Sequence, residues 1–368
     1  MSRTRLPLPL LSSLILPVVM AGCGPKEAAP APEAPVTLTS AEVSQDAPTL
    51  RPNLASTTRT FRDWTVVCDA ANHCTAYTPA PDSQGYAILR LAAGPEAKAV
   101  LSLGTFEIRM LEGGMSMEID GQTFRGLSHG VEGADYDVLS FNGPSPTILK
   151  LLSQGSSMAL VSGAERMEYS LSGAAAAFLW IDERQGRLNT TTALIRRGTE
   201  PASAVPPAPR LTAPTPGPVV RQTGLPEAQA PAQLRALSAV KACLAEGSDW
   251  GPEVARLSED RLLWSIPCGA GAYNFSSKWF TTANDGSNPI MIQFPTSDGA
   301  DDLLTNAAYD PQTRKLSAFG KGRGIGDCGQ VGEWIWTGTR FELLSEQIMQ
   351  NCLGLPMEQW PYSWTSSN

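Results

Sequence analysis

Seven cysteines constrain the fold of this 368-residue chain more than any other feature of its sequence. Cys23 directly follows an apolar N-terminal segment, and the other six make an even set. Since thiols oxidise outside the cytoplasm, an even set behind a secretion signal predicts disulfide bonds. We expect each of the six to pair with its neighbour in sequence: Cys68 with Cys74, Cys243 with Cys268, and Cys328 with Cys352. The pairing among the last four stays open from the sequence alone.

Metal binding is the alternative use of these cysteines. The C-x₂-C spacing of structural zinc sites is missing, and His73 beside Cys74 does not complete a set of four ligands. Only two histidines are present, which leaves few groups for acid–base or metal chemistry near neutral pH. The formal net charge of −8 argues against nucleic acid as a partner. We therefore expect no metal, no cofactor and no nucleic-acid partner.

The first 22 residues are typical of a bacterial lipoprotein signal peptide. Arg3 and Arg5 precede an apolar stretch that is too short and too broken by proline to span a bilayer. Val19–Cys23 resembles a lipobox, at which Cys23 would be acylated; the alternative is an ordinary cleaved signal peptide in which this cysteine has no role. Gly24, where the sorting rule of enteric bacteria would need Asp for retention in the inner membrane, favours the outer membrane. We expect an outer-membrane lipoprotein that faces the periplasm.

Two proline-rich stretches divide the rest of the chain. Residues 23–58 lack any apolar periodicity and predict a lipidated, Pro/Ala-rich tether. Residues 199–228 cannot hold a helix or a central strand and predict a linker. The globular parts are then an N-terminal β-rich domain at 59–198 and a C-terminal, Trp-rich disulfide domain at 229–368, in keeping with a chain of this length.

Both domains have the pattern of short strands with few helices. In the first domain we expect strands at Tyr86–Leu91, Phe106–Met110, Met115–Ile119, Tyr136–Phe141, Ser157–Val161 and Arg166–Leu171, after an initial strand that ends at Cys68. In the second we expect Leu262–Ile266, Ala272–Phe275, Ile290–Phe294, Lys315–Phe319, Glu333–Thr337 and Phe341–Ser345. Helices are expected after the cap Ser145, over Gly173–Gln185, and from Leu234 to Gly247. The fold class is α+β: two mainly antiparallel-β domains with one or two helices each, held by disulfides.

Several runs together resemble a known family. They are Phe61-x-Asp63-Trp64-x-Val66-x-Cys68 with Cys74, Ile181-Asp182-x-x-Gln185-Gly186-Arg187, Gly271-Ala272-Tyr273-Asn274, Lys321 to Gly329, Trp334-x-Trp336-x-Gly338-x-x-Phe341 and Trp360-Pro361-x-x-Trp364. The chain resembles the bacterial six-cysteine family known as domain of unknown function 1176, over nearly everything after the tether. Its first domain is also similar, more weakly, to the invasion-associated locus B proteins. The resemblance implies a secreted envelope protein and no established activity; the lipobox and tether depart from the family pattern.

The run from Lys321 to Gly329 is the most specific of these and carries the candidate binding loop. Lys321 and Arg323 project from a glycine-rich turn next to Cys328, and Asp327 is placed to pair with Arg323. Arginine suits a carboxylate or phosphate because its planar fork donates two parallel hydrogen bonds. The alternative is a structural turn that the disulfide fixes.

Other motifs have simpler explanations. Gly126–Gly130 matches the G-x-S-x-G pattern of hydrolases, but no helix is expected to follow it, so we interpret it as a turn. Gly324–Gly329 matches G-x-G-x-x-G, but a strand follows, which argues against a nucleotide. Asp298–Asp302 lacks the spacing of a calcium loop. The tryptophans between Trp250 and Trp364 fit either a core or a sugar-stacking platform, and we favour the core.

The sequence therefore predicts a non-catalytic envelope lipoprotein that binds a protein or peptidoglycan partner. Two alternatives stay open: an inhibitor of an envelope hydrolase, and an enzyme that acts on envelope glycan through carboxylates such as Asp327 and Glu333. No catalytic residue is assigned. The partner and the oligomeric state are not predictable from the sequence.

Overall fold

The computed structural model describes residues 56–106, 108–131, 136–227, 229–247 and 250–366. The described residues belong to one compact unit. The signal peptide, Cys23 and nearly all of the tether lie outside the described residues, so the predictions made for them stay predictions.

Two antiparallel sheets and two helices occupy the chain up to residue 184. The larger sheet has the order β1-β2-β3-β4-β5-β9-β8 and the smaller one β11-β10-β6-β7. The strands are β1 (Thr57–Phe61), β2 (Trp64–Cys68), β3 (Cys74–Pro79), β4 (Gly85–Leu91), β5 (Val100–Thr105), β6 (Ser116–Ile119), β7 (Gln122–Arg125), β8 (Leu127–Gly130), β9 (Asp137–Asn142), β10 (Met158–Ser162) and β11 (Glu165–Tyr169). The helices are α1 (Pro146–Gln154) and α2 (Ala174–Arg184).

Local signals place several of these elements as expected. Ser145 caps α1 by accepting the N–H of Ile148 at 3.3 Å, which satisfies one of the unpaired donors of the first turn. Asp120 and Gly121 both adopt positive φ in the two-residue turn between β6 and β7, as a tight hairpin requires. One expectation is wrong: Phe106–Met110 is not a strand, because the ladder to β4 is made by the preceding Val100–Thr105.

The chain beyond residue 229 contains two short helices and the remaining strands. The helices are α3 (Ala232–Ala236) and α4 (Ser238–Ala245). The strands are β12 (Glu253–Arg256), β13 (Arg261–Ala270), β14 (Phe275–Ala283), β15 (Ile290–Met291), β16 (Phe294–Thr296), β17 (Gly299–Asp301), β18 (Leu303–Thr305), β19 (Ala308–Asp310), β20 (Lys315–Lys321), β21 (Gly329–Trp336), β22 (Phe341–Met349) and β23 (Tyr362–Thr365). They form one sheet around β13 and β14, a second with the order β19-β20-β21-β22-β23, and a small β16–β17 pair.

Two expectations for this part are corrected. The single predicted helix is broken at Leu237, whose ψ of 138° is extended, and Leu234 and Val240 on either side both remain buried. Ala272–Phe275 is not a strand, because the Gly271 N–H donates to the carbonyl of Asn274 at 2.7 Å and closes a turn. The chain reaches β14 only at Phe275.

The larger N-terminal sheet is covered on both faces. One face packs on α1, α2 and the smaller sheet. The other face shares a core with β22 and the segment between β22 and β23; this core contains Val67, Tyr77, Tyr86, Ile88, Cys328, Met349, Leu353, Leu355 and Trp360. All five residues of β2 are therefore buried, whereas a strand with one wet face would alternate.

The proline-rich segment lies against the second β-sheet of the C-terminal part. The Gly217 N–H donates to the carbonyl of Trp336 at 2.8 Å, and Val205 and Val220 are buried. The α+β class, its antiparallel sheets and its disulfides are confirmed. The division into domains at residues 199–228 stays a prediction.

Candidate functional site

An open cleft of about 770 Å³ lies where the β1–β2 hairpin meets the segment after β22. Five separate stretches line it: the hairpin, the end of β3, Ser170 after β11, the candidate binding loop and the segment around Cys352. The lining residues are Thr60, Arg62, Asp63, Thr65, Thr78, Pro79, Ala80, Pro81, Ser170, Arg323, Gln350, Asn351, Cys352 and Leu353. Hydroxyl, amide and guanidinium groups predominate, so the cleft suits a polar ligand.

Arg323 and Asp327 form the ion pair that the sequence predicts. The Nε and Nη2 of Arg323 donate to the two oxygens of Asp327 at 2.6 and 2.5 Å. Asp327 also accepts the N–H of Gly354 at 2.6 Å. Because the carboxylate holds the loop against the chain beyond Cys352, the pair has a structural role as well. The arginine side chain keeps 44% of its surface exposed and forms part of the cleft wall.

The electrostatics of Asp327 fit this structural role. Burial alone would raise the pKa of its carboxyl, but the hydrogen bonds from Arg323 and Gly354 outweigh burial and hold the pKa below its usual value. A carboxylate with a lowered pKa stabilises the folded state above its unfolded pKa and loses that contribution as the pH falls. Asp327 is therefore ionised at neutral pH and neutralises much of the charge of Arg323.

Arg62 provides a second guanidinium in the lining of the cleft. It is exposed, and among the described residues none makes a hydrogen bond or ion pair with its side chain. Its φ of 54° lies in the left-handed region, where Gly or Asn is usual and most other residues are strained. The two-residue turn between β1 and β2 accounts for this backbone conformation, and what Arg62 offers to the cleft is its unpaired cation.

The floor of the cleft consists of cross-strand hydroxyls. Thr60 and Thr65 face each other across β1 and β2 with their Oγ1 atoms 3.3 Å apart. The phenol of Tyr77 lies next to Thr65 and Asn351, and burial raises its pKa to about 12, so it stays protonated. The Oγ1 of the fully buried Thr78 has no partner within the described residues. Most buried polar atoms are hydrogen-bonded, so this orphaned hydroxyl is an exception, and its oxygen is too deeply buried to meet a ligand directly.

Two further residues named in the sequence analysis, Lys321 of the loop and Glu333 of the glycan-hydrolase alternative, lie outside the lining of the cleft. The ammonium of Lys321 lies 5.6 Å from the centre of the Phe319 ring and does not line the cleft. Glu333 lies within β21, where Lys315 and Ser345 contact its carboxylate. Asp327 and Glu333 thus have different partners among the described residues, and the structure shows no contact between their carboxylates.

The three disulfides join the pairs that the sequence favoured, Cys68–Cys74, Cys243–Cys268 and Cys328–Cys352. Ligand atoms of Asp327, Cys328 and Cys352 lie within 4.8 Å of one another. The two sulfurs, however, are bonded to each other, and a metal needs free thiolates. This cluster is accordingly no metal centre in the oxidised protein.

The other motifs have structural roles. The G-x-S-x-G run is not the turn that we expected, because Leu127–Gly130 form strand β8; Ser128 accepts the N–H of Met115 at 3.0 Å. The G-x-G-x-x-G run leads into β21 and not into a helix. Six of the seven later tryptophans are buried: Trp264, Trp279, Trp334, Trp336, Trp360 and Trp364. Their burial supports the core interpretation over a sugar-stacking platform.

Sequence reasoning missed Arg62, Thr78 and Asn351. Arg62 was visible within the family run at residues 61–68, and a cation in a tight two-residue turn without Gly or Asn is the signal that would have singled it out. Thr78 and Asn351 lie 273 residues apart in numbering, and only the packing of the two sheets brings both to the cleft.

These features define a class: a mainly β, disulfide-stapled protein of an oxidising compartment with an open polar cleft. No helix of the described residues is long and apolar enough to cross a membrane. Residues 58–367 match the model of the family described as "Protein of unknown function (DUF1176)", and the chain belongs to that family.

One relative extends this comparison. The chain is 29% identical over 345 residues to the Uncharacterized protein YpfG of Escherichia coli (strain K12). The alignment covers 83% of this chain and 92% of the relative. No solved structure matches the chain significantly. The weaker likeness to invasion-associated locus B proteins is not shown by these comparisons.

Proposed function

We propose that this protein is a non-catalytic binding protein of the bacterial cell envelope, tethered by a lipid on Cys23, and that its cleft binds a carboxylate-bearing ligand. The observation that carries the proposal is the exposed guanidinium of Arg62, which has no partner among the described residues and lines a polar cleft together with Arg323, Gln350 and Asn351. A planar guanidinium binds a carboxylate through two parallel hydrogen bonds.

The lining of the cleft supports binding more than catalysis. Asp63, its one carboxylate, accepts the hydroxyl of Ser170 at 2.5 Å. Neither histidine lines the cleft. The ligand class that fits an envelope location is the peptide moiety of peptidoglycan, which carries free carboxylates and amides that could use Gln350 and Asn351.

The anchor is tested by acylation. We expect the wild-type chain to incorporate labelled palmitate and to fractionate with membranes, because a lipid with more than one acyl chain gives stable anchoring. Cys23→Ser should abolish the labelling and release the protein into the periplasm. A Cys23→Ser chain that is still labelled would exclude acylation at this cysteine.

The cleft is tested by pull-down with purified peptidoglycan sacculi. We expect Arg62→Ala to weaken binding by about tenfold or more, the effect of losing a charge-assisted hydrogen-bonded pair. Arg323→Ala should weaken binding as well, with a lowered melting temperature because it also removes the Asp327 pair. Arg62→Gly, which relieves the backbone strain, should lose binding while it keeps or raises the melting temperature.

Arg340→Ala is the matched control, because Arg340 is an exposed arginine paired with Glu342 and does not line the cleft. It should bind sacculi like the wild type. If Arg62→Ala and Arg340→Ala bind equally well, the cleft is not the binding site.

A further inference from the structure

Two neighbouring hairpin tips of the C-terminal part expose large apolar side chains. Ile325, at the centre of the loop between β20 and β21, is 76% exposed, the highest value among the large apolar side chains that the structure describes. Tyr273, in the turn between β13 and β14, and Phe275, the first residue of β14, are 38% and 48% exposed. The Trp250 ring meets the Phe275 ring edge-on, with the ring centres 5.1 Å apart. We call these four residues the apolar tip.

The two hairpins that carry the apolar tip are fastened to each other. Asn274 donates to the carbonyl of Lys321 at 2.9 Å and accepts the Lys321 N–H at 3.1 Å. Asn306 donates to the carbonyl of Tyr273 at 3.2 Å and accepts the N–H of Phe275 at 2.9 Å. A Cβ at Gly324 would lie 3.5 Å from the Tyr273 ring, so the loops also touch directly. The exposed side chains are therefore presented on a fixed scaffold.

The composition and shape of the apolar tip favour a lipid surface over a protein pocket. Side chains at the ends of adjacent hairpins project outward, whereas ligand-binding apolar surfaces of proteins are usually concave. The set of one aliphatic side chain, a Trp, a Tyr and a Phe, with Lys321 at the start of the loop, matches the residues that occupy the membrane–water interface. Apolar groups exposed together in this way mark interaction sites.

We propose that the apolar tip inserts into the interfacial region of a phospholipid bilayer and so orients the body of the protein on the membrane. This contact is made by protein side chains and is independent of the lipid proposed on Cys23. Because Arg323 belongs to the same loop as Ile325, insertion would bring the cleft close to the membrane surface.

The charges near the apolar tip allow it to approach a membrane surface. Lys321 lies on the loop itself, and Arg323 is neutralised in part by Asp327. Between β17 and β18, the carboxylate of Asp302 pairs with Lys278 of β14 at 2.6 Å. Repulsion by the net negative charge of the whole chain is screened beyond about 8 Å at physiological salt. Binding therefore depends mainly on the apolar side chains.

Vesicle co-sedimentation of the Cys23→Ser full chain tests the proposal, because no acyl chain then contributes. The vesicles contain three parts phosphatidylethanolamine to one part phosphatidylglycerol at physiological salt. We expect wild-type side chains at the tip to give saturable partitioning, Ile325→Ser to weaken it by about tenfold, and Ile325→Trp to strengthen it. Since Ile325 is mostly exposed, both variants should melt like the parent chain.

The matched control is Leu127→Ser, which removes a 62% exposed leucine from β8 in the N-terminal part. It should partition like the parent chain. Equal partitioning of Ile325→Ser and the parent chain would overturn the proposal. So would a concentration-dependent dimer of the parent chain that Ile325→Ser dissociates while vesicles remain unbound, since the tip would then dock on a second copy. Neither vesicle partitioning nor the oligomeric state depends on sacculus binding through Arg62, so this proposal and the proposed function can fail separately.

Discussion

Replacing both Cys328 and Cys352 with alanine is expected to lower the free energy of unfolding by about 2–5 kcal/mol. The disulfide closes a long loop, with a sequence separation of 24, so its loss returns considerable entropy to the unfolded chain. Cys328 is also 1% exposed within the core shared by the two sheets. Its sulfur therefore contributes packing in addition to the crosslink.

The same change should disable the cleft. Arg323, Asp327 and Gly354 are joined across this disulfide, and Cys352 itself lines the cleft. We expect sacculus binding to fall together with stability, as measured by urea unfolding and pull-down. The Cys243→Ala and Cys268→Ala double variant is the matched control, because it opens a loop with a separation of 25 away from the cleft.

That control should lose similar stability and still bind sacculi under conditions in which it is folded. Loss of binding in both double variants, or in neither, would show that the Cys328–Cys352 disulfide has no particular role at the cleft.

The elements that the sequence predicted are those with a local physical cause. Ser145 followed by Pro146 fixes the start of α1, and Asp120-Gly121 fixes a two-residue turn. The even set of cysteines predicted disulfides. The cap and the turn depend on residues close together in the chain, so the local sequence is sufficient to predict them.

The elements that were missed depend on contacts made at long range. The edge strand β1 exists because its backbone pairs with β2, although its exposed residues carry no apolar alternation. The broken helix at Leu237 likewise reflects tertiary packing more than helix propensity. Arg323 and Asp327 of the candidate site were therefore visible in the sequence, while Arg62, Thr78 and Asn351 became candidates only when the sheets were seen to meet.

The family run from Ile181 to Arg187 is another case in which the sequence singles out residues but does not reveal what they do. Asp182 is fully buried on α2, and its two oxygens accept the N–H groups of Leu194, Ile195 and Arg196 at 2.7, 2.8 and 3.4 Å. Arg187 is equally buried and donates to the carbonyl of Gly94 at 2.7 Å. The run thus forms a network of buried hydrogen bonds that holds the irregular segment after α2 in place.

Asp182→Ala is accordingly expected to lower the free energy of unfolding by about 3–5 kcal/mol, because it leaves buried donors unpaired and removes the charge facing Arg187. Urea unfolding at pH 7 measures the loss. Glu183→Ala, which removes the neighbouring exposed carboxylate, should stay within about 0.5 kcal/mol of the wild type.

The pH dependence gives this prediction a second, independent check. Burial raises the pKa of Asp182 above its usual 3.8, against the lowering effect of the N–H groups of Ile195 and Leu194. A carboxyl whose folded pKa is raised contributes most below its unfolded pKa and loses part of that contribution as the pH rises through the folded value. The difference in stability between wild type and Asp182→Ala should therefore be larger near pH 4 than at pH 7. A difference that grows with pH would mean that the ionised carboxylate is the favoured form in the fold, and that its hydrogen bonds and Arg187 outweigh burial.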